Sequence, residues 1–232
     1  MKPSTTHPIF AGTVLALLLV SPAISQDPET IASTVSDITW RHIGPVNMGG
    51  RVSAIVGIPG DPKTFWVGGA DGGVWKTTNG GTTFDPQWQD EDAYSVGALA
   101  VAPSDQNVIW LGSGEGDPRN SVSYGLGVWR STDGGSTWKH LGLRDTERIK
   151  RIVVDPRDPD VALVCALGHA WGPNEERGVF KTTDGGENWK RVLYLDPDTG
   201  CSDIDLDLSN PRNVYAGMWT FRRRPWRFDD GG

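Results

Sequence analysis

From about residue 51 to the end of the chain, short apolar runs alternate with turns rich in Gly, Asp and Pro, and the runs fall into columns. Setting Asp61, Asp105, Asp158 and Asn210 level brings Ile55, Leu99, Ile152 and Ile204 into one column. Gly57, Val101, Val154 and Leu206 form another column two positions on. Pro59, Pro103 and Pro156 share a third, from which Leu208 departs. Apolar positions two apart describe a strand with one buried face. Each such strand runs through a Pro/Asp turn into a second one: Phe65–Val67, Val108–Leu111, Val161–Val164 and Val214–Ala216. No long stretch carries a helical period.

A second pattern follows the first and is sharper. Gly127-Val128-Trp129-Arg130-Ser131-Thr132-Asp133-Gly134-Gly135-Ser136-Thr137-Trp138 has counterparts beginning at Gly178 and at Gly73. Between Thr77 and Ser131 lie 54 positions, and between Ser131 and Thr182 lie 51. A near-constant period of this size marks a repeat architecture. Each copy reads strand, tight turn, strand. The β-branched and aromatic lead-in suits a half-buried strand. The Asp or Asn side chain can accept from backbone N–H groups ahead of it, and the glycines take positive φ without cost. Asn79, Gly81 and Phe84, Asp133, Gly135 and Trp138, and Asp184, Gly186 and Trp189 are therefore read as structural residues that shape hairpins.

Together the two patterns give units of four antiparallel strands, A to D, at about 51–94, 95–147, 148–201 and 202–232. The expected fold is all-β: a β-propeller with about three and a half blades present. The fourth unit stops at Asp229-Asp230-Gly231-Gly232, ahead of a fourth Asp-Gly turn. Ring propellers need four to eight blades as a rule, so a longer protein supplying the remaining blades is expected. Thr39–Ile43 would then be an outer strand closing the ring.

Residues 1–25 read as a signal peptide: Lys2, an apolar run from Ile9 to Val20 too short to span a bilayer, and small residues at Ala23-Ile24-Ser25. Residues 26–37 read as a polar linker, leaving 38–232 as the propeller. The expectation is an exported protein, periplasmic, cell-surface or secreted, with no membrane span after cleavage. A net charge of −7 argues against a nucleic-acid partner, which would call for a basic face. Cys165 and Cys201 fit an exported chain, and spacing leaves open whether they pair. His169 has no second His at ligand spacing, so neither a metal nor a cofactor is expected.

Antiparallel succession places the A–B and C–D turns on one face of the disc and the B–C and D–A connections on the other. The second face carries the unusual residues, and functional loops on a rigid scaffold tend to share a face. Arg51, Arg119, Asn120, His169, Trp171, Asn174, Glu175 and Arg177 are the candidate ligand-binding residues. Exposed Trp could stack on a sugar or a peptide, and Arg could grip carboxylates. Phe221–Arg227 reads as the fourth B–C connection. Asp203, Asp205 and Asp207 alternate along an inner strand, as on a solvated channel wall. Asp71 and Glu115 fall in equivalent columns after strand B, and two carboxylates on one face are what glycoside hydrolysis requires. They are the candidate catalytic pair.

The Ser/Thr-x-Asp-x-Gly-x-Thr-Trp stretches resemble the Asp-box, or bacterial neuraminidase repeat. Gly44-Pro45, Met48-Gly49-Gly50-Arg51-Val52, Gly114-Glu115, Arg119–Ser123 and His169–Gly178 resemble secreted bacterial proteins with a sortilin-type N-terminal propeller. These belong to the wider WD40/YVTN-like superfamily and are often labelled glycosyl hydrolase. The likeness spans residues 38–232 and implies a fold more firmly than a function. Asp71-Gly72-Gly73 also resembles the first-blade turn that carries a catalytic Asp in xyloglucanase-type propellers, with the second carboxylate expected beyond this chain's end. Three functions follow as expectations. The first is an exported module binding a protein, peptide or glycan; the second is a glycoside hydrolase; the third is an assembly factor for a protein complex.

Overall fold

The computed structural model describes residues 50–207 and 209–231. The signal peptide, the linker, the closing strand read at Thr39–Ile43 and the Gly44-Pro45 motif lie outside them.

Four antiparallel sheets follow one another along the chain. The first comprises β1 (Val52–Ile58), β2 (Asp61–Gly69), β3 (Gly73–Thr77) and β4 (Asp85–Pro86). The second comprises β5 (Val96–Ala102), β6 (Asp105–Ser113), β7 (Val128–Ser131) and β8 (Lys139–His140). The third comprises β9 (Ile149–Val154), β10 (Ala162–Ala166), β11 (Gly178–Thr182) and β12 (Lys190–Leu193). The fourth comprises β13 (Thr199–Leu206), β14 (Val214–Arg223) and β15 (Phe228–Gly231). Each sheet is a meander in chain order, and the innermost strands β1, β5, β9 and β13 lie side by side. This is a β-propeller of four-stranded blades, three complete and one with three strands. Among the described residues there is no α-helix, only a 3-10 turn at Arg144–Thr146, and no helix long and apolar enough to cross a membrane.

The core lies between sheets. Trp66, Val74, Trp88 and Trp129 pack with Val96, Ile109 and Leu111 across the first and second. Ala98, Trp110, Ile152, Val164 and Phe180 do so across the second and third. Close approach requires glycine at Gly97, where a Cβ would stand 2.2 Å from the carbonyl oxygens of both Gly114 and Ile149. The third and fourth sheets are also joined covalently, because Cys165 of β10 and Cys201 of β13 form a disulfide.

The repeated turns share one hydrogen-bond pattern. Ser131 Oγ accepts from Gly135 N at 2.8 Å and donates to Asp133 Oδ1 at 2.8 Å, while Thr137 N donates to Asp133 Oδ1 at 2.9 Å. Thr77, Asn79 and Gly81 repeat it, as do Thr182, Asp184 and Gly186. Each turn also donates to the start of, or the turn before, the second strand of its own sheet: Gly80 N to Lys63 O, Gly134 N to Asn107 O and Gly185 N to Asp160 O. The aromatic that closes the turn reaches the preceding sheet: Trp138 Nε1 donates to Gln87 O at 2.9 Å and Trp189 Nε1 to Leu141 O at 2.7 Å. The Phe84 ring has no N–H to give and instead meets Phe65 edge-on at 5.9 Å.

One connection departs from expectation. Phe221, Arg222 and Arg223 are not loop residues; they extend β14, pairing with Asp230, Asp229 and Phe228. Only Arg224–Arg227 turns, closed by Arg224 N donating to Arg227 O at 2.9 Å. Phe221 is buried against Leu167 and Ala170, which holds the strand straight for another turn of pleat. A run of arginines looks solvated in sequence, yet its apolar neighbour decides.

Candidate functional site

The loops opposite the Asp-Gly turns meet where β1, β5 and β9 begin. Backbone bonds fix the assembly: Ala70 N to Arg51 O, Gly114 N to Ser95 O, and Leu167 N to Arg148 O. Arg51 and Arg148 each precede the first strand of a sheet, and Ser95 holds that place in the sheet between them.

Arg51 makes a two-pronged contact with Glu115. Its Nε donates to Oε1 at 2.8 Å and its Nη2 to Oε2 at 2.6 Å. The same Nη2 lies 3.6 Å from Asp71 Oδ2. The two carboxylates read as a pair thus do meet, through an arginine. They differ in access: the Glu115 side chain is 3% exposed and that of Asp71 is 48% exposed. Glu115 sits deep because its neighbours lack side chains. A Cβ at Gly114 would fall 1.8 Å from Glu147 O, and one at Gly116 2.6 Å from Lys150 Cδ. Asp71 occupies a turn whose tightness rests on Gly69, where a Cβ would come within 2.9 Å of Gly72 Cα. Arg51 is held above its usual pKa, chiefly by the Glu115 hydrogen bonds and secondarily by the charges of Glu115 and Asp71, against some desolvation.

A second cluster lies between the second and third sheets. Buried Arg148 donates through Nη1 to Glu147 Oε2 at 2.6 Å. Burial pushes its pKa down, opposed by the charges of Glu147 and Glu115. Glu147 itself has φ 51°, a conformation that non-glycine residues seldom hold and that recurs at functional sites. His169 Nε2 lies 3.0 Å from Asp145 O, 3.2 Å from Asp145 Oδ1 and 3.5 Å from Glu147 Oε1. Lys150, on β9, pairs with Asp117.

The remaining candidates divide by burial. Asn174 accepts from His169 N at 3.2 Å and donates to Asp145 O at 2.9 Å, pinning its loop to the neighbouring connection. Arg177 is fully buried and donates to the carbonyl oxygens of Leu167, His169, Gly172 and Asp198. Burial takes its pKa down to about 10, and its guanidinium lies over the Phe221 ring at 4.9 Å. Its Nη1 and Nη2 are committed to these carbonyls, while its buried Nε has no partner among the described residues. Glu175 is exposed and accepts from Tyr194 Oη at 2.8 Å. Arg119 and Asn120 are exposed and make no hydrogen bond or ion pair among the described residues. Trp171 is 48% exposed, and Trp226, Tyr94 and Tyr124 are more so. Tyr94 and Lys150 escaped sequence reasoning. Tyr94 lies in the connection between the first and second sheets, and Lys150 lies on an inner strand, a polar inner face being read only at Asp203, Asp205 and Asp207.

Beside these loops the inner strands line an open cavity of about 450 Å³ with Ser53, Ile55, Lys150 and Asp205 on its wall. No group of three or more His, Cys, Asp or Glu side chains among the described residues is disposed to hold a metal ion. One solvent-facing carboxylate in a tight turn with a guanidinium 3.6 Å away, in a structure that also exposes several aromatic rings, can serve acid–base chemistry or recognition of a polyhydroxylated chain.

No protein-family model matches the chain. It is 24% identical over 253 residues to a xyloglucanase of Paenibacillus sp., which covers 94% of this chain and 24% of that protein. It is 26% identical over 224 residues to the xyloglucanase Xgh74A of Acetivibrio thermocellus, covering 91% of this chain and 25% of the relative. Among solved structures, an ancestral GH74 enzyme superposes with a TM-score of 0.59 at 25% identity, over 75% of this chain and 22% of that one. The GH74 enzyme of Niastella koreensis superposes at 0.54 and 21% identity, over 72% and 26%. The chain spans about a quarter of the length of the curated relatives it matches. The likeness is to β-propeller glycosyl hydrolases.

Proposed function

We propose that this chain is the propeller part of an exported glycoside hydrolase acting on a branched β-glucan of the xyloglucan class, with Asp71 as one of its two reacting carboxylates. The observation that carries the reading is Asp71 itself. It is the solvent-facing acid of the Arg51 cluster, set in a glycine-bounded turn, in a chain of which more than nine-tenths aligns with proteins named xyloglucanases. Hydrolysis needs one group to protonate the leaving glycosidic oxygen and another to activate water or attack the sugar. Glu115 does not suit the second role, since both its oxygens are occupied and it is buried. In this reading the second carboxylate comes from outside the described residues. The finer affiliation we favour is an Asp-box propeller of the sortilin N-terminal type, on the strength of the three identical Ser/Thr–Asp/Asn–Gly turns.

The test is release of reducing ends from xyloglucan by the full-length protein and by its Asp71→Asn variant. Loss of a general acid–base carboxylate lowers the rate by about 10² to 10⁴-fold, and a loss in that range is expected. A second reading, a recognition module for a glycan or peptide on the same face, is favoured by the exposed rings of Trp171, Trp226, Tyr94 and Tyr124. Binding of xyloglucan without release, unchanged in Asp71→Asn, would decide for it.

A further inference from the structure

Asp71 is attached to the molecule by very little. Its turn is bounded by Gly68-Gly69 on one side and Gly72-Gly73 on the other, so backbone geometry places its Cα. No hydrogen bond involving its side chain exists among the described residues. Among the described residues, the one charged group beside it is the Arg51 guanidinium at 3.6 Å, an ion contact that is too long for a hydrogen bond. An unheld Asp side chain samples several rotamers, and a reacting carboxylate displaced by an ångström is a poor catalyst.

Arg51 is held firmly in its turn. Both oxygens of Glu115 take its Nε and Nη2, a fork that fixes the guanidinium plane as well as its position. Glu115 cannot swing away, because it is buried. Its backbone is fixed by Glu115 N donating to Ser123 O at 3.2 Å and Gly114 N to Ser95 O at 2.9 Å. The charge of Glu115 also favours the charged form of buried Arg148, which precedes β9. The order of constraint thus runs from the second sheet's buried acid, through the first sheet's arginine, to the exposed acid.

We infer that Arg51 is a positioning residue for Asp71, and that Glu115 is the buried anchor of Arg51 rather than a reacting group. This rests on the reading of Asp71 as a reacting carboxylate. The competing account is that the Arg51–Glu115 pair only braces the first sheet against the second, with Asp71 a bystander.

The two accounts separate in a mutant cycle on the purified full-length protein with xyloglucan as substrate. Arg51→Ala and Glu115→Gln are each expected to lower kcat by about 10²-fold, the penalty of ångström-scale misplacement, with KM within about twofold of wild type. Neither should lower the residual rate of Asp71→Asn further, since the group they position is then gone. Millimolar guanidinium ion should restore part of the kcat of Arg51→Ala and none of that of Asp71→Asn. A crystal structure of Arg51→Ala should show Asp71 in more than one rotamer. Additive losses on the Asp71→Asn background, or a single unchanged Asp71 rotamer without Arg51, would overturn the inference and leave the brace. Wild-type kcat in Arg51→Ala, with Asp71→Asn inactive, would remove the inference alone. Hydrolysis undiminished in Asp71→Asn, or absent from the wild type, would remove the glycosidase reading and this inference with it.

Discussion

Breaking the Cys165–Cys201 cross-link tests how the fourth sheet is kept on the third. The cysteines are 36 positions apart, both are fully buried, and their Cα atoms stand 5.0 Å apart on neighbouring sheets. A cross-link closing a loop of that length removes conformational freedom from the unfolded chain worth about 4 kcal/mol. With a urea slope of about 2 kcal/mol per molar for a domain of this size, the unfolding midpoint should fall by about 2 M on reduction. The assay is urea unfolding followed by tryptophan fluorescence, with and without reductant, beside the Cys165→Ala/Cys201→Ala variant. The variant should sit at or slightly below the reduced protein, because the sulfurs also pack with Leu163, Val179 and Ile204. Reduction that leaves the midpoint within about 0.5 M of the oxidised protein would refute the reasoning. The two sheets would then stay together in the denatured ensemble, or separate without crossing the transition.

Acid should loosen the turns before neutral pH does anything to them. Asp133 is raised by partial burial but lowered more by the Thr137, Ser131 and Ser136 donors, and stands at about 2. Asp184 also stands at about 2, chiefly through the Asn188 backbone N–H and then the Asn188 and Thr182 side chains. Folded-state values below the unfolded value of about 3.9 mean that their contribution is complete above that pH and is lost as pH falls toward 2. Circular dichroism should therefore show stability dropping between about pH 4 and 2, and Asp133→Asn/Asp184→Asn should flatten that drop; an unchanged slope would count against the turns. Gly97→Ala should destabilise by about 3 kcal/mol in thermal unfolding, because its methyl would meet two carbonyl oxygens at 2.2 Å; a neutral effect would mean that the innermost strands can part.

The fold was legible because it is written several times over. Ile55, Leu99, Ile152 and Ile204 repeat one side of one strand, and the Asp-Gly turns repeat a local hydrogen-bond pattern that needs no distant partner. The face on which loops gather followed from strand alternation alone. The pairing of charges did not, since Arg51 and Glu115 are 64 positions apart and residue types do not say which acid is buried. Arg177 illustrates the limit: a loop arginine beside two glutamates suggests an outward grip, yet its partners are backbone carbonyls, which every residue supplies. Phe221 had the opposite effect, its burial drawing the arginines beside it into a strand.

The indole bonds from Trp138 to Gln87 and from Trp189 to Leu141 all point backward along the chain, over 51 and 48 positions. The cationic side chains point forward: Lys76 donates to Gly134 O and Arg130 to Gly185 O, over 58 and 55 positions. During synthesis, the second and third hairpins therefore find an acceptor already laid down, while Lys76 and Arg130 wait for turns that are still to emerge. A nascent chain halted after the second sheet is left with Arg130 idle at its leading rim and the Trp138 contact finished at its trailing one. Each rim junction between successive sheets is thus fastened from both sides, by an indole reaching back and a cation reaching forward.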